Sequence, residues 1–576
     1  MAESSYFLLA ATFIPLLTAP VAYGIGRKAG VNAATWFSFG ALAISTGLLM
    51  LPAIMVYSNP GAVYSESYQW SQFGNFGLRL DGLSLPFALI IYILCTVLAL
   101  YSKPYMLHKV MEDLPGHGKG AHGNSPSSHE SSSSHNSESG SQTTVLDTKQ
   151  QQHVNHQMGV YFGLYLAFSM GMLGTVLATN LIEFYVFFEL MLVPSFFLVA
   201  FYGYGARRRI ALMFFFWTHV GAVVLLLGLL AMGFFAGGFD YATVKENVGK
   251  IPATWLPLIV LALVIGLGVK LAAFMLHIWL PYAHAEAPTP VSALLSPAMI
   301  GIGAYGLLRL WLELLTGSYE QYSLYINMWG LATMIYGGAM ALMQDDIKKV
   351  LAYSSISQMG YILFGLGSES ILGISGATML YITHGLGKAI LFMMAGSIIL
   401  QTGTRSMSKL GGLAGKMPYT AVIAMIGALT IIGIPPTSGF MAEWIMFNGV
   451  LQTATNHMDG FRTALFAFGI LATVLSSAYI LWMFKRIFFG KIPEELAHVK
   501  DSNRYITVTM AVLAALTLVI GILPDLFLNP ITTYVNGMFA GHEGVLTIPH
   551  ASADVGAAGS TGVPNIPSAE GGGQSG

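Results

Sequence analysis

The sequence predicts an all-α polytopic membrane protein. Three observations carry that prediction. Of 576 residues, 55% are hydrophobic and only 9% are charged; long apolar runs recur along almost the whole chain; and Lys and Arg gather in alternate connections. A soluble domain carries about 25% charged residues. A chain this poor in charge has too little polar surface to face water on all sides, so its solvent is mostly lipid. The formal net charge of −1 leaves no basic excess to neutralise phosphates, which excludes a nucleic-acid partner. The single cysteine, Cys95, excludes intramolecular disulfides and cysteine-ligated clusters. The first apolar run has neither a basic start nor a small-residue cleavage site, and is expected to remain as a span.

A transmembrane helix needs about 20 mostly apolar residues. Such runs start near Phe7, Ala34, Leu83, Gly159, Leu181, Ala211, Leu256, Val291, Ile326, Val350, Ile371, Tyr419, Ala464 and Ile506. They amount to about fourteen transmembrane helices. Arg27 and Lys28 follow the first span, Lys103 and Lys109 the third, and Arg207 to Arg209 the fifth. Lys348 and Lys349, then Arg405, Lys409 and Lys416, then Lys485, Arg486 and Lys491 continue the alternation. The intervening connections are poor in Lys and Arg, except for Lys245 and Lys250. The positive-inside rule then puts the odd-numbered connections in the cytoplasm and both termini outside a multi-pass cell (plasma) membrane protein.

The stretch 112–157 is rich in Ser, His, Gly and Gln and is expected to be a disordered cytoplasmic loop. His117, His122, His129, His135, His153 and His156 fall in it; their spacing matches no compact metal site, and a solvated linker is the simpler reading. The expected organisation is therefore helices one to three over 1–111, this loop over 112–157, a first repeat of helices over 158–315, a second over 316–490, a last helix region over 491–548 and a disordered Gly/Ser/Ala-rich tail over 549–576.

A charge at the centre of a membrane helix costs about 2.5–3.5 kcal/mol on insertion scales, so one that occurs there is a functional candidate. Glu189 lies in "EFYVFFELMLVPSFFLV", His219 in "MFFFWTHVGAVVLLL" and Lys270 in "LVIGLGVKLAAFMLHIWLP". His384 and Lys388 lie four apart in "YITHGLGKAILFMMAGS", on one helix face, and Glu443 lies in "IPPTSGFMAEWIMFNGV". All exchange protons, and a Lys alternately paired with a carboxylate and left alone swings between holding and releasing one. The plainer readings are a helix-packing histidine for His219, a structural ion pair for Glu189 and Lys270, and helix packing for His384 and Lys388. Glu183, at the start of its span, is expected at the interface. Asp345, Asp346, Lys348 and Lys349 are expected at a cytoplasmic loop without need of burial.

Two spans read as interrupted. Pro281, Pro288, Pro290 and Pro297 punctuate "HIWLPYAHAEAPTPVSALLSP", and Gly433, Pro435, Pro436 and Gly439 punctuate "IIGIPPTSGF". Broken membrane helices persist only where protein or water satisfies the freed backbone. Lys270 and Glu443 lie close to these breaks. Counting five spans per unit puts each break in the fourth member, the pattern of inverted repeats around an ion site.

These stretches resemble the antiporter-like subunits of respiratory complex I, the M-subunit (chain 4) family of NADH–quinone oxidoreductase. "FFELMLVPSFFLV" is similar to the M-type signature. "HIWLPYAHAEAPTPVSALL", "AYGLLRL", "DDIKKVLAYSSISQMGYI" and "THGLGKAILFMMAGS" resemble motifs shared with Mrp-type antiporters and membrane-bound hydrogenases. The resemblance implies two inverted five-helix repeats with two broken helices, and proton translocation driven by quinone reduction in partner subunits. It implies that Glu189 pairs with Lys270, that His384 and Lys388 lie on a central hydrophilic axis, and that Glu443 forms the outlet. It implies no cofactor in this chain, with quinone, iron–sulfur clusters and flavin or NADH on partners, which include further antiporter-like subunits. Two positions depart from the pattern: Gly301 stands where relatives usually carry a Lys, and Tyr282 where they commonly carry Asp. The competing functions are an Mrp-type cation/proton antiporter subunit and a non-transporting membrane anchor of a hydrogenase or dehydrogenase.

Overall fold

Continuous apolar sequence leaves a membrane chain one way to satisfy its backbone locally, the helix. The computed structural model describes residues 6–59, 61–71, 74–114 and 147–540. Its helices are α1 (Phe7–Ala29), α2 (Val31–Ser58), α3 (Ser84–Glu112), α4 (Thr148–Leu177), α5 (Leu181–Tyr202), α6 (Arg207–Ala236), the short α7 (Tyr241–Glu246), α8 (Leu256–Leu271), α9 (Trp279–Glu286), α10 (Thr289–Leu294), α11 (Gly301–Gly306), α12 (Tyr319–Leu342), α13 (Ile347–Leu366), α14 (Ile371–Thr402), α15 (Pro418–Ile432), α16 (Ser438–Asn456), α17 (Gly460–Phe488), α18 (Arg504–Ile522) and α19 (Asp525–Met538). Among the described residues, 10 helices are long and apolar enough to cross a membrane, counting the continuous Thr289–Glu313 as one.

Burial sorts the helices. Within α14, every residue but one from Ile371 to Ile398 is buried, and Thr289–Glu313 is buried throughout. Helices α1, α2, α6 and α17 keep much of their apolar surface outward, where lipid or partner chains meet it. The centre of the molecule is thus α14 packed against α3, α10, α13 and α16. Within Thr289–Glu313, π-helical turns at Leu295–Met299 and Leu307–Glu313 flank α11.

Both interruptions are present, but the first lies upstream of its prolines. Helix α8 stops at Ala272, in the left-handed region at φ 58°, and the chain resumes at Trp279. Pro281 sits inside α9, and Pro288 precedes α10. Tryptophans donate to carbonyls around this break. The indole N–H of Trp279 donates to Val269 O at 2.8 Å, that of Trp329 to Phe274 O at 3.0 Å, and that of Trp217 to Leu276 O at 3.0 Å. The second break falls where the glycine and prolines put it: α15 ends at Gly433 (φ 78°) and α16 starts at Ser438. Gln358 donates there to Ile431 O at 3.2 Å.

Three local expectations are corrected. The stretch expected to be disordered over 112–157 is helical at both ends. Helix α3 runs to Glu112, and α4 begins at Thr148 behind a reciprocal Asp147–Gln150 cap, so His153 and His156 sit on a helix. His117, His122, His129 and His135, and the tail 549–576, lie outside the described residues. Second, the connection after α2 forms an antiparallel hairpin, β1 (Tyr64–Ser71) and β2 (Gly74–Leu80). Glu66 of β1 accepts the Leu8 and Leu9 amides at 2.8 and 2.9 Å, supplying the N-terminal cap that α1 lacks in its own sequence. Third, Glu183, expected at the interface, and Lys348, expected without need of burial, are both buried within the protein.

Beyond β2 a buried ion network ties distant elements together. Arg309 donates to both Asp81 oxygens at 2.8 and 2.9 Å and to Glu313 at 2.5 Å. Arg79 pairs with Asp81 at 2.8 Å, and Tyr534 of α19 donates to Glu313 at 2.8 Å. Asp81 lies outside the spans; burial opposes its charge, but Arg309 and Arg79 prevail and hold its carboxyl well below the usual range.

Candidate functional site

Helices α5, α6 and α8 bring three of the expected residues together. Lys270 is 1% exposed one turn before the α8 break, with its Nζ 4.7 Å from the Phe188 ring centroid. Among the described residues its ammonium has no hydrogen-bond partner. Glu189 is the carboxylate whose charge reaches it, from beyond ion-pair distance. Glu189 Oε2 instead lies 3.2 Å from His219 Nδ1, and its Oε1 is buried without a hydrogen-bond partner among the described residues. The His219 ring stacks on Phe215 at 5.6 Å and stays 41% exposed. The pairing expected between Glu189 and Lys270 is therefore open in this structure, and Glu189 is held by His219.

The centre holds the expected His384 and Lys388 and two groups that sequence reasoning missed. Lys388 donates to Leu351 O at 3.2 Å and to the Ser354 hydroxyl of α13. His384 is 1% exposed, and among the described residues neither ring nitrogen has a hydrogen-bond partner. His284 of α9 is fully buried, has no hydrogen-bond partner for either ring nitrogen among the described residues, and lies within the field of Lys348 and Lys388. Lys348 enters the interior at the start of α13 and donates to Ala287 O. A cavity of about 260 Å³ lined by Tyr204, Glu286, Lys348 and Arg405 leads from the surface to this lysine. The signal for His284 lay in its place just after the break; that for Lys348 lay in the apolar run that follows "DDIKK". Neither separates a buried charge from a loop charge without the packing.

Beside the mouth, Asp345 and Asp346 join α13 to the segment after α14. Asp346 caps the Lys348 and Lys349 amides and pairs with Arg405 at 2.7 Å. Asp345 accepts from Ser406, Ser408 and Arg486.

Glu443 lies apart from these groups. It is 8% exposed on α16 and faces the break: a Cβ on Gly433 would fall 2.6 Å from its Oε2. It lines a cavity of about 310 Å³ with Phe440, Trp444, Asn448 and Thr473. At Gly301 the place of a side chain is taken by the Tyr381 ring, which stacks on Phe87 at 4.2 Å. Tyr282 is 47% exposed, and nothing in the structure explains the departure there.

No group of three or more His, Cys, Asp or Glu converges as metal ligands among the described residues. The arrangement is a set of separate titratable side chains, most of them buried, and all of them Glu, Lys or His, types that exchange protons.

The model of the NADH:quinone oxidoreductase/Mrp antiporter transmembrane family matches residues 178–485, more than half of the chain. The protein belongs to this family. Its M-type character shows in the relatives. The F(420)H(2) dehydrogenase subunit M of Methanosarcina mazei is 36% identical over 374 residues, 63% of this chain and 74% of that one. The NADH-quinone oxidoreductase subunit M of Rhodobacter capsulatus is 28% identical over 533 residues, 89% and 93% of the two chains. The fold is that of a chain in respiratory complex I from Thermus thermophilus solved with bound NADH, at TM-score 0.73 and 22% identity, covering 93% of this chain and 100% of that one. The matched stretch carries every candidate residue named above, from Glu189 to Glu443. Family members thus occur in multi-subunit membrane complexes, and this chain is an antiporter-like, multi-pass membrane subunit.

Proposed function

We propose that the chain is the proton-translocating M-type subunit of a complex I-like quinone oxidoreductase. One observation carries this reading. Lys270, His284, Lys348, His384, Lys388 and Glu443 are all buried inside the membrane domain, where each charge is costly unless it does work. A non-transporting anchor leaves that cost without a reason.

In this reading protons enter from the cytoplasmic side through the cavity at Lys348 and reach His284, His384 and Lys388. Lys270 is switched by Glu189, which exchanges His219 for Lys270 as its partner. Glu443, beside the second break, releases the proton outward. Lysine suits the switch because its ammonium deprotonates when buried, whereas a guanidinium stays charged. The full architecture on this reading is about fourteen spans, with α4 to Glu313 and α12 to α17 as two inverted repeats and each broken helix near a key charge. Both termini lie outside. Quinone, iron–sulfur clusters and any flavin or NADH belong to partner subunits, and this chain is not the redox catalyst.

Purification of the native complex in mild detergent tests the assignment. Co-purifying quinone- and cluster-bearing subunits are the expected result. A complex containing only Mrp-type antiporter subunits contradicts it in favour of a cation/proton antiporter.

A further inference from the structure

The gap at Gly301 is structurally specific. Helix α11 packs on α8, which carries Lys270, and at Gly301 meets the Tyr381 ring of α14, the helix that also carries His384 and Lys388. It presents glycine to both sides. A Cβ at Gly303 would sit 2.8 Å from Leu267 O and from Leu271 N, the turn of α8 that includes Lys270. A Cβ at Gly301, on the opposite side of the helix, would run into the aromatic ring of Tyr381. Helix α11 is thus reduced to backbone at both contacts.

Tyr381 fills the space so created. It is fully buried, its ring is stacked on Phe87, and Phe87 in turn packs on Tyr305 at 5.0 Å. Its hydroxyl has no hydrogen-bond partner among the described residues. A buried hydroxyl left in that state carries a desolvation cost, which a phenylalanine at the same place would avoid. Tyr381, His384 and Lys388 follow at spacings of three and four, so they share one face of α14. The Tyr381 hydroxyl and both His384 ring nitrogens are therefore neighbouring unsatisfied groups on one stripe.

The geometry points to Tyr381 as a proton-relay residue that bridges the Lys270 region and the His384–Lys388 pair in place of an ionisable group at position 301. This rests on the proton-translocation reading above. A hydroxyl serves the purpose without ionising, since it is donor and acceptor at once. A proton delivered by a water on the Lys270 side bonds to a lone pair of Oη as the original O–H proton passes to a water on the His384 side. The phenol ends neutral, turned by one hydrogen, and no electron is transferred.

The test is proton translocation driven by quinone reduction, measured on the assembled complex in membrane vesicles. Tyr381→Phe keeps the ring and the Phe87 stack and removes only the hydroxyl. The expected result is normal assembly and quinone binding with protons moved per electron reduced at least about twofold, and a shifted pH profile. A space-filling role predicts no change in either. Lys270→Met is measured alongside. If Lys270→Met loses translocation and Tyr381→Phe does not, the Tyr381 inference fails and the proton-pump reading stands. If Lys270→Met also translocates normally, both fail. A second comparison holds where the Phe variant does not assemble: Tyr381→Ala removes the ring that blocks position 301, and Tyr381→Ala with Gly301→Lys returns a titratable group from the facing helix. Recovery by the pair over Tyr381→Ala alone supports the inference, and no recovery overturns it.

Discussion

Glu189 Oε2 lies 3.2 Å from His219 Nδ1, while the Nζ of Lys270, the other candidate partner of the same carboxylate, has no hydrogen bond among the described residues. On the proposed function, one acid between two bases, held by one and within the field of the other, serves as a two-position switch. The His219 position is the more exposed and the Lys270 position the drier, so transfer of the carboxylate changes how strongly Lys270 holds its proton.

His219→Phe preserves the stacking on Phe215, at 5.6 Å in the native protein, and removes the alternative partner of Glu189. Proton translocation in vesicles is expected to slow about tenfold or more, with assembly unchanged. A native rate assigns His219 to helix packing.

Lys388→Ala removes the ammonium held by Ser354 and Leu351 O. Translocation is expected to be lost, whereas Ser354→Ala, which removes one of the two acceptors, reduces it partially. Equal rates in Lys388→Ala and native vesicles place the path elsewhere.

Gly433→Ala puts a Cβ into the left-handed region, at about 1–2 kcal/mol, and 2.6 Å from Glu443 Oε2. Gly403→Ala, at φ 67° with nothing nearby, imposes the backbone cost alone. Both are expected to lower the melting temperature in detergent, and only Gly433→Ala to impair translocation.

Asp81→Asn leaves the buried Arg309 and the part-buried Arg79 with Glu313 as their remaining carboxylate. Breaking such a buried network costs about 3–5 kcal/mol. The variant is expected to unfold at markedly lower temperature, with α19 released first, read as faster amide exchange around Tyr534.

Outside the spans, burial raises the Asp345 carboxyl, but hydrogen bonds from Ser406, Ser408 and Arg486 outweigh it and hold it below its ordinary value. A lowered carboxyl contributes stability that is present above the unfolded value of about 4 and lost as pH falls through the lower native one. Exchange of the Ser408 amide, which donates to Asp345 at 3.0 Å, is therefore expected to show an acid-dependent opening below about pH 4. Asp345→Asn removes that dependence.

Much of this was legible in the residues. Glu189, Lys270, His384, Lys388 and Glu443 announce themselves because each interrupts an apolar window, where a charge has no solvent. His284 and Lys348 did not, since prolines and acidic neighbours make their surroundings read as a loop; only the packing of Ala287 over the start of α13 reveals Lys348 as interior. The second break was legible in its glycine and prolines. The first was misplaced because "AAFMLHI" contains no breaker. Carbonyls around it accept from Trp217, Trp279 and Trp329, two of them some sixty residues away, and no local signal encodes that. The hairpin was missed for the same reason: its role is to cap α1 through Glu66. Tyr381 is visible only once α11 and α14 are seen to touch.

The most direct measurement is the number of protons translocated per electron by the complex carrying Lys270→Arg. Arginine keeps the positive charge and most of the length but does not release its proton. A lysine that carries protons predicts that translocation falls to the background leak, while a complex that pumps at the native ratio with Arg at this position would show that Lys270 supplies only a fixed charge and contradict the account.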